Sequence, residues 1–532
     1  MPGRLAIDFG TSNTVAALWD AAAADGHTLP LANLTRMMRD PHEREFHAVP
    51  SLMHYHGDTG VWVGQQVVEK NLQAATPGTF RWMKTYVGNQ MKLPREVAAD
   101  RSIDNFRAAA DFLQQILLAA GAHANFAEEE VAFTVPVEAF EQYQNWLDSV
   151  VQSAGVLRPR YLDEASAAAL GYAARIRVGA PFMTFDLGGG TLDVSIVRVD
   201  DTRDGQPHCR SLGKAGAQVG GSAMDQWLAR DAAVKTGRDP AQLRAFFPRL
   251  LQEAERVKEI LTNAEAETFD TKDPDTGVQV QHRYTRGAFE DLLDANGLYT
   301  KINAVLDAAE RQAREHGYDS DQLQTVLMIG GSSLIPSIRR LVRGRYGERV
   351  RCERPFDAVA VGAAAFVAGA GFDDRIRHSY ALQSVNRSTG QHIYTTIVNA
   401  GTAYPCEVMR LDRPNEPLVH TFKAWNDQQT SFGLLVFEVA ERSATACGGS
   451  GFDLVFDQNG AARYTAREDE EDVRHRQIGE KFMIPCNPPA KKGEPRFLAT
   501  FSIDDKRYFS VTVKDIDTGK TPFRNQPLVK LT

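Results

Sequence analysis

Two short stretches set the same residue types in the same order. DFGTSNT (Asp8 to Thr14) and FDLGGGTLD (Phe185 to Asp193) each end an apolar run on a carboxylate, then give glycine, then a hydroxyl. Glycines at a strand end let backbone N–H groups approach an anion with no Cβ in the way. Thr and Ser add hydroxyl donors. An acidic residue in the same turn repels phosphate, but it holds Mg²⁺ through water, and the metal then meets phosphate oxygens. Each turn therefore supplies phosphate donors and one carboxylate, and two such turns facing one another clamp a polyphosphate from both sides. One copy alone is more often a mere tight hairpin. It is not a P-loop, because no GKS or GKT follows. It is not a dinucleotide fingerprint either, because the turn leads into a strand and not a helix.

Further residues join the set. On LLQEAERVKEILTNA, residues Glu255, Lys258 and Thr262 share one helical face, where a ribose and a base edge find hydrogen-bond partners. A solvated ion pair explains the first two just as simply. IGGSS (Ile329 to Ser333) puts Gly330, Gly331 and Ser332 at a strand-to-helix junction, where a flat base can lie against bare backbone. VGG (Val219 to Gly221), with Gly220 and Gly221, is a fourth small turn. His54 and His56 in MHYHGD lie on one side of a strand near His42 and His47. A metal site needs three or four convergent ligands, so exposed histidines are the expectation there.

The elements that must hold these residues repeat as well. Residues 4 to about 20 read as strand, turn, strand, and residues 181 to 199 do so again, with Leu192, Val194 and Ile196 alternating with polar neighbours. From about 223 to 315 the pattern is mainly helical, and TVLMIGG then runs into a helix-like SSLIPSIRRLV. This is an internal duplication of an α/β unit and predicts two lobes facing each other. AVAVGAAAFVAGAG, behind Asp357, is too short for a membrane span and reads as a tightly packed helix. Residues 372–382 read as a polar joint. Residues 383–532 read as mostly β, with QHIYTTIVN, FGLLVFEVAE, RFLATFSID and RYFSVTVKD as strands and AREDEEDVRHR as a solvated loop.

The 532 residues are 43% hydrophobic and 24% charged, a balance that supports a large core without disulfide staples. A formal net charge of −8 argues against a general nucleic-acid or membrane-surface binder. The five cysteines are scattered, with no CxxC pair, and no signal-peptide pattern opens the chain, so a cytoplasmic location is expected.

DFGTSNT, FDLGGGTLD, VGGSAMD, EAERVKEILT and MIGGSSLIP, in this order, resemble the 70-kDa heat-shock chaperone family of the DnaK type. Its members share the actin and sugar-kinase ATPase fold. VPSLMHY, VWVGQQ, RWMKTYVG, AFTVPV, LDEASAAALGY and FDAVAVGAAAF agree in order, so the resemblance covers about residues 4 to 370. LATFSIDDKRYFSVTVKDIDTGK and NAGTAYPCE are similar to the family's β-sandwich peptide-binding domain. The resemblance implies an α/β, two-lobed actin-like ATPase domain over 1–371 with a duplicated core, followed by a β sandwich. It implies ATP/ADP and Mg²⁺ as cofactors, with Asp8 and Asp186 holding the metal through water. Gly10, Thr11, Ser12, Asn13, Gly188, Gly189 and Gly190 would cradle phosphate. Lys84 matches the lysine that positions the attacking water and γ-phosphate, Glu164 a glutamate near the metal, and Thr191 and Asp193 a catalytic threonine and a second aspartate. Gly220, Gly221, Glu255, Lys258, Thr262, Gly330, Gly331, Ser332 and Asp357 complete the nucleotide set.

The sequence also departs from the family. Ala165 stands where a proline follows the glutamate, Leu334 where an arginine stacks on adenine, and Gln144 where an arginine pairs with the proline equivalent to Pro136. The joint lacks the usual run of leucines, and no helical lid pattern follows the last strands. The expectation is a slow, lid-less chaperone-like ATPase whose partners are an unfolded or extended polypeptide and a co-chaperone or nucleotide-exchange factor, with no nucleic acid and no membrane. Val436 and Phe437 serve equally as walls of a peptide groove or as sandwich core. A nucleotide-sensing scaffold and a small-molecule kinase of the same fold stay open as alternatives.

Overall fold

The computed structural model describes residues 3–531, apart from 76, 99, 138–140, 174–175, 204–205, 238–242, 244–245, 275, 374–375, 377, 386–391, 405, 411–412, 414–415, 442–451, 457–461, 467–472 and 505–506. It forms two compact units, Met1–Asp373 with Thr445–Glu468, and Asp374–Ala444 with Asp469–Thr532.

The first unit is built twice. Strands β1 (Leu5–Asp8), β2 (Asn13–Asp20), β3 (Arg36–Arg39) and β4 (Glu45–Pro50) come first, followed by the short helix α1 (Met83–Gly88). Then come β5 (Val131–Val135), helix α2 (Glu141–Ser153), β6 (Pro159–Asp163) and helix α3 (Glu164–Ala173). The first sheet runs β6-β5-β1-β2-β4-β3. The second copy has β7 (Pro181–Leu187), β8 (Leu192–Arg203), β9 (Gln206–Ala217), α4 (Gly221–Lys235), α5 (Phe247–Asn263) and α6 (Leu298–Glu315). It closes with β10 (Val326–Ile329), α7 (Pro336–Tyr346), β11 (Val350–Arg351), α8 (Ala358–Val367) and β12 (Gly371–Asp373). Its sheet runs β11-β10-β7-β8-β9-β12.

The two sheets share one plan. In each, the first strand pairs antiparallel with the next through a tight turn, β1 with β2 and β7 with β8. In each, that first strand also pairs parallel with a later one, β1 with β5 and β7 with β10. Parallel pairing buries both faces, which is why LAID, VAFTV, PFMTFDL and VLMI are near-continuous apolar runs. The conserved plan puts each glycine turn at the end of its first strand.

Helices α3 and α8 are the corresponding elements of the two halves, and they pack against each other through small residues. Ala167, Ala168, Ala360, Ala363 and Ala364 are fully buried. A Cβ at Gly362 would lie 1.7 Å from the Ala167 carbonyl oxygen, and one at Gly171 would lie 2.6 Å from that of Ala358. The alanine-rich 358–367 stretch is therefore a close helix–helix contact, and no helix among the described residues is long and apolar enough to cross a membrane.

The stretch from about 223 to 315 is mainly helical, as expected, with an interruption. A hairpin, Ala266–Lys272 with Gln279–Thr285, interrupts it. Its buried Phe269, Val280 and Tyr284 alternate with exposed or half-buried polar residues, a period-two signal inside a largely helical context.

The second unit is two sheets. β13 (Ser379–Val385), β14 (His392–Val398), β15 (Cys406–Glu407), β16 (Val419–Lys423) and β17 (Gln429–Glu441) precede β18 (Val473–Ala490), β19 (Pro495–Ile503), β20 (Tyr508–Asp515) and β21 (Phe523–Lys530). One sheet runs β14-β13-β17-β18, the other β15-β19-β20-β21 with β16 also on β19. Alternate residues of both sheets, such as Leu382, Phe432, Leu434, Phe497, Phe501, Val511 and Val513, meet in one core. Val436 (4% exposed) packs in the core between the sheets, whereas Phe437 (7%), next on the strand and so on the opposite face of its sheet, is buried against Tyr394 of β14, with ring centroids 4.9 Å apart. The charged stretch expected as a loop continues into β18 from Val473, and its 467–472 part lies outside the described residues. Within the 372–382 joint, β13 already begins at Ser379.

Candidate functional site

The turn Gly188–Gly190 is held from behind. Gly221 N–H donates to Gly188 O (3.0 Å), Ser222 N–H to Gly189 O (2.7 Å), and the Ser332 hydroxyl to Gly188 O (2.9 Å). On the first turn, Ser51 uses its N–H on Ser12 O (2.9 Å) and its hydroxyl on Gly10 O (2.7 Å). The carbonyls are thus consumed. The N–H groups of Thr11, Ser12, Gly189 and Gly190 have no protein acceptor among the described residues. Unspent N–H groups in successive small residues are an anion nest.

The two nests face each other. A Cβ placed on Gly189 would lie 2.4 Å from the Ser12 hydroxyl oxygen, and one on Gly190 would lie 2.4 Å from that of Thr11. Gly220 backs the nest so closely that a Cβ there would sit 2.7 Å from Gly189 C. Between the halves lies a cleft of ≈ 340 Å³. Asp8, Gly10, Thr11, Ser12, Asn13, Lys84, Glu164, Asp186, Gly188, Gly189, Gly190, Thr191, Gly221, Glu255, Lys258, Thr262, Gly330, Gly331 and Ser332 all line it.

Three of the residues expected at the site stand elsewhere. Gly220 supports the nest without lining the cleft. Asp193 is 1% exposed, and its carboxylate accepts from Val137 N–H at 2.8 Å. That bond fastens the second half to the first beneath the cleft. Asp357 is spent on Arg354 and Arg44, each guanidinium approaching within 2.9 Å, and does not reach the cleft.

The floor carries more negative than positive charge. Asp8 at the end of β1, Asp186 on β7 and Glu164 at the start of α3 converge on one cation, Lys84 of α1. Lys84 Nζ donates to Glu164, and both are buried. The Thr134 hydroxyl donates to Asp8 at 2.6 Å. Burial pushes the Asp8 carboxyl up, against the pull of Lys84 and Thr134. Burial also raises Glu164, with Lys84 opposing it. Asp186 is pushed well above the carboxylate range by burial and then by Glu164, Asp193 and Asp8. Asp193 rises to about 8, through burial and Glu164. Burial works against the charge on Lys84, but Glu164, Tyr143 and Asp8 outweigh it and hold the amine above its usual range.

Such a carboxyl set asks for another cation. Hard oxygen donors suit Mg²⁺, which keeps most of its waters and takes few direct protein ligands. Among the described residues no three His, Cys, Asp or Glu side chains gather as a metal cage. The residues present therefore fit Mg²⁺ held by Asp8 and Asp186 through water.

The far end of the cleft is apolar. Leu334, Ile335, Met38 and Phe356 line it, and Phe356 stacks on Phe46 with centroids 5.0 Å apart and planes 11° apart. Sequence reasoning missed Phe356, Arg36 and Arg81. Arg36 donates to Asn13 Oδ1 at 3.1 Å. Arg81 reaches from the first half to Glu255 on α5 of the second, at 2.7 Å, with its guanidinium over the Trp82 ring. The signal for Arg81 was its place three residues before Lys84. Lys258, on the same α5 face as Glu255, pairs with Asp225 at 2.7 Å.

A duplicated α/β core, with paired glycine turns and carboxylates at the ends of corresponding strands, defines the actin-like ATPase class of fold. The sequence profile of the Hsp70 protein family matches residues 6–375, and the chain belongs to that family. It is 25% identical to chaperone protein dnaK of Thalassiosira pseudonana over 547 aligned residues, spanning 97% of this chain and 80% of that protein. It is 24% identical to chaperone protein dnaK1 of Prochlorococcus marinus (strain MIT 9313), spanning 97% and 74%. Heat shock 70 kDa protein BIP3 of Oryza sativa subsp. japonica is 27% identical over 417 residues, or 75% of this chain and 55% of that protein. Hsp70 proteins are chaperone ATPases that bind ATP or ADP with Mg²⁺ and engage unfolded polypeptide.

Proposed function

We propose that this chain binds Mg-ATP in the cleft, hydrolyses it slowly, and engages an extended polypeptide or a dedicated partner through its β unit. The observation that carries the reading is the pair of facing turns with unspent N–H groups above a carboxyl-rich floor. Bound Mg²⁺ would neutralise phosphate charge. The chain's own groups do the rest. The two nests fix the polyphosphate, and Lys84, oriented by Glu164, aligns a water with the γ-phosphate. Thr191 contributes a hydroxyl beside it. Such a site works by positioning and charge stabilisation, without a covalent intermediate. The apolar wall of Leu334, Ile335 and Phe356 takes the base, and Glu255, Lys258 and Thr262 line the path of the ribose. In the β unit, the exposed Ile393 on β14 and Met483 on β18 offer apolar contacts to a peptide.

Binding should be linked to protons. The carboxyls of Asp8, Asp186 and Glu164 hold protons above their ordinary range when no cation is present, and a divalent ion pulls those values down. Mg-ADP binding is therefore expected to release protons and to tighten as pH rises above the ordinary carboxylate range. The sign for stability is opposite. The raised Asp193 makes a contribution that is complete below 3.8 and lost as pH climbs through about 8, so the nucleotide-free protein should weaken over that span. Calorimetry of Mg-ADP binding in buffers of differing ionisation enthalpy reads the released protons directly. Proton uptake would contradict the assignment, and absence of binding would overturn the proposed function.

The Arg81–Glu255 pair joins the halves over the cleft. Arg81→Ala should speed nucleotide release about 3- to 10-fold, with a smaller effect on association. Stopped-flow release of a fluorescent ADP analogue checks this, and an unchanged release rate would remove the pair from the account.

A further inference from the structure

Bonds among the described residues tie strands β7, β8 and β9 to the first half beneath the cleft. Val137 N–H donates to Asp193 (2.8 Å), the Thr184 hydroxyl donates to Ala165 O (3.1 Å), and Lys214 Nζ donates to Asp163 Oδ2 (2.6 Å). Only the last joins two charged side chains. Asp163 is fully buried, and the Lys214 side chain is 7% exposed.

The placement of this pair is specific. Asp163 ends β6 and caps α3, accepting from Ser166 N–H at 2.9 Å and from the Ser166 hydroxyl at 2.6 Å. The next residue is Glu164, the partner of Lys84. On the other side, Lys214 stands on β9, and its N–H donates to Gln312 Oε1 of α6 at 2.9 Å. A continuous line of bonds therefore runs from α6 and β9 of the second half, through Lys214 and Asp163, to the Glu164–Lys84 pair of the first.

The reacting groups are divided between the halves in the same way. Lys84 and Glu164 belong to the first; Asp186 and Thr191 belong to the second. Their mutual spacing depends on what fastens the halves at this level. A buried ion pair adds little stability over well-packed apolar residues, because desolvation consumes most of its Coulomb gain. It does fix a distance, since neither charge can be left alone in the interior.

We infer that Lys214 is a positioning residue: through Asp163 it sets the Glu164–Lys84 pair against the second half, and so governs ATP turnover more than nucleotide binding. This rests on the ATPase reading given above. The test compares wild type, Lys214→Met, Lys214→Arg and the double variant Lys214→Met with Asp163→Asn, reading kcat, ADP affinity and Tm. Asparagine keeps the cap on α3 and removes the charge that Lys214→Met alone would strand.

Lys214→Met should lose kcat by about 10-fold or more while ADP affinity stays within about 3-fold. Its Tm should fall. The double variant should recover Tm yet keep the low kcat, and Lys214→Arg should restore much of the rate. Recovery of kcat together with Tm in the double variant would overturn the inference and leave the pair a stability feature. Unchanged kcat in Lys214→Met would overturn it as well. Wild type that binds ADP but turns over no ATP would overturn the ATPase reading itself, a result distinct from either.

Discussion

Lys84→Ala is expected to lower ATP turnover by at least about 100-fold while leaving ADP affinity within about 3-fold. Among the described residues, Lys84 is the one cation among the buried carboxyls of the floor, and Glu164 fixes its amine. Its charge matters most when negative charge moves onto the transferring phosphoryl group, so its loss falls on the rate and not on the bound ground state. A second consequence follows from removing the amine. Glu164 and Asp8 lose the charge that holds their carboxyls down, so both are expected to rise further. Single-turnover hydrolysis and equilibrium ADP binding, measured side by side, separate the two effects. Equal losses in both would make Lys84 a binding residue and remove it from the chemistry.

Gly189→Val is expected to abolish nucleotide binding, lowering affinity by at least about 100-fold. Even one Cβ at 189 would lie 2.4 Å from the Ser12 hydroxyl and 3.3 Å from the Ser12 N–H. A branched side chain fills the space between the nests and forces them apart, covering N–H groups that phosphate would use. The turn carbonyls at 188 and 189 remain bonded to Ser332, Gly221 and Ser222, so the fold around them should persist. Calorimetric titration with Mg-ADP, with Tm as the control for folding, reads the effect. Near-normal affinity in a folded Gly189→Val protein would show that the facing turns are not the phosphate site.

Much of this was legible in the sequence because its signals are local. A carboxylate, glycines and hydroxyls at the end of an apolar run mark Asp8 to Asn13 and Asp186 to Thr191, and the duplication of the run marks two halves. The helical spacing of Glu255, Lys258 and Thr262 places all three on the cleft. What failed to show was pairing across the chain. Nothing near Asp357 announces that Arg44, far earlier in the sequence, will claim it together with Arg354. Asp193 reads as a second site carboxylate, and the β7–β8 register does set it opposite Asp186 on the same face of the sheet; what the sequence does not announce is its bond from Val137 N–H. Arg81 and Phe356 are ordinary residues until the halves come together and bring one to Glu255 and the other to Phe46. In the β unit, Val436 and Phe437 sit in an apolar run that fits a groove or a core, and only the arrangement of the two sheets assigns Val436 to the core and Phe437 to the opposite face of β17.

The measurement that tests the central claim most directly is steady-state ATP hydrolysis by the purified wild-type protein with Mg²⁺, with and without an unfolded polypeptide. The account predicts slow, Mg²⁺-dependent release of phosphate that polypeptide accelerates. Tight ATP binding with no turnover above that of Lys84→Ala would contradict it, and would leave a nucleotide-sensing scaffold in place of the enzyme.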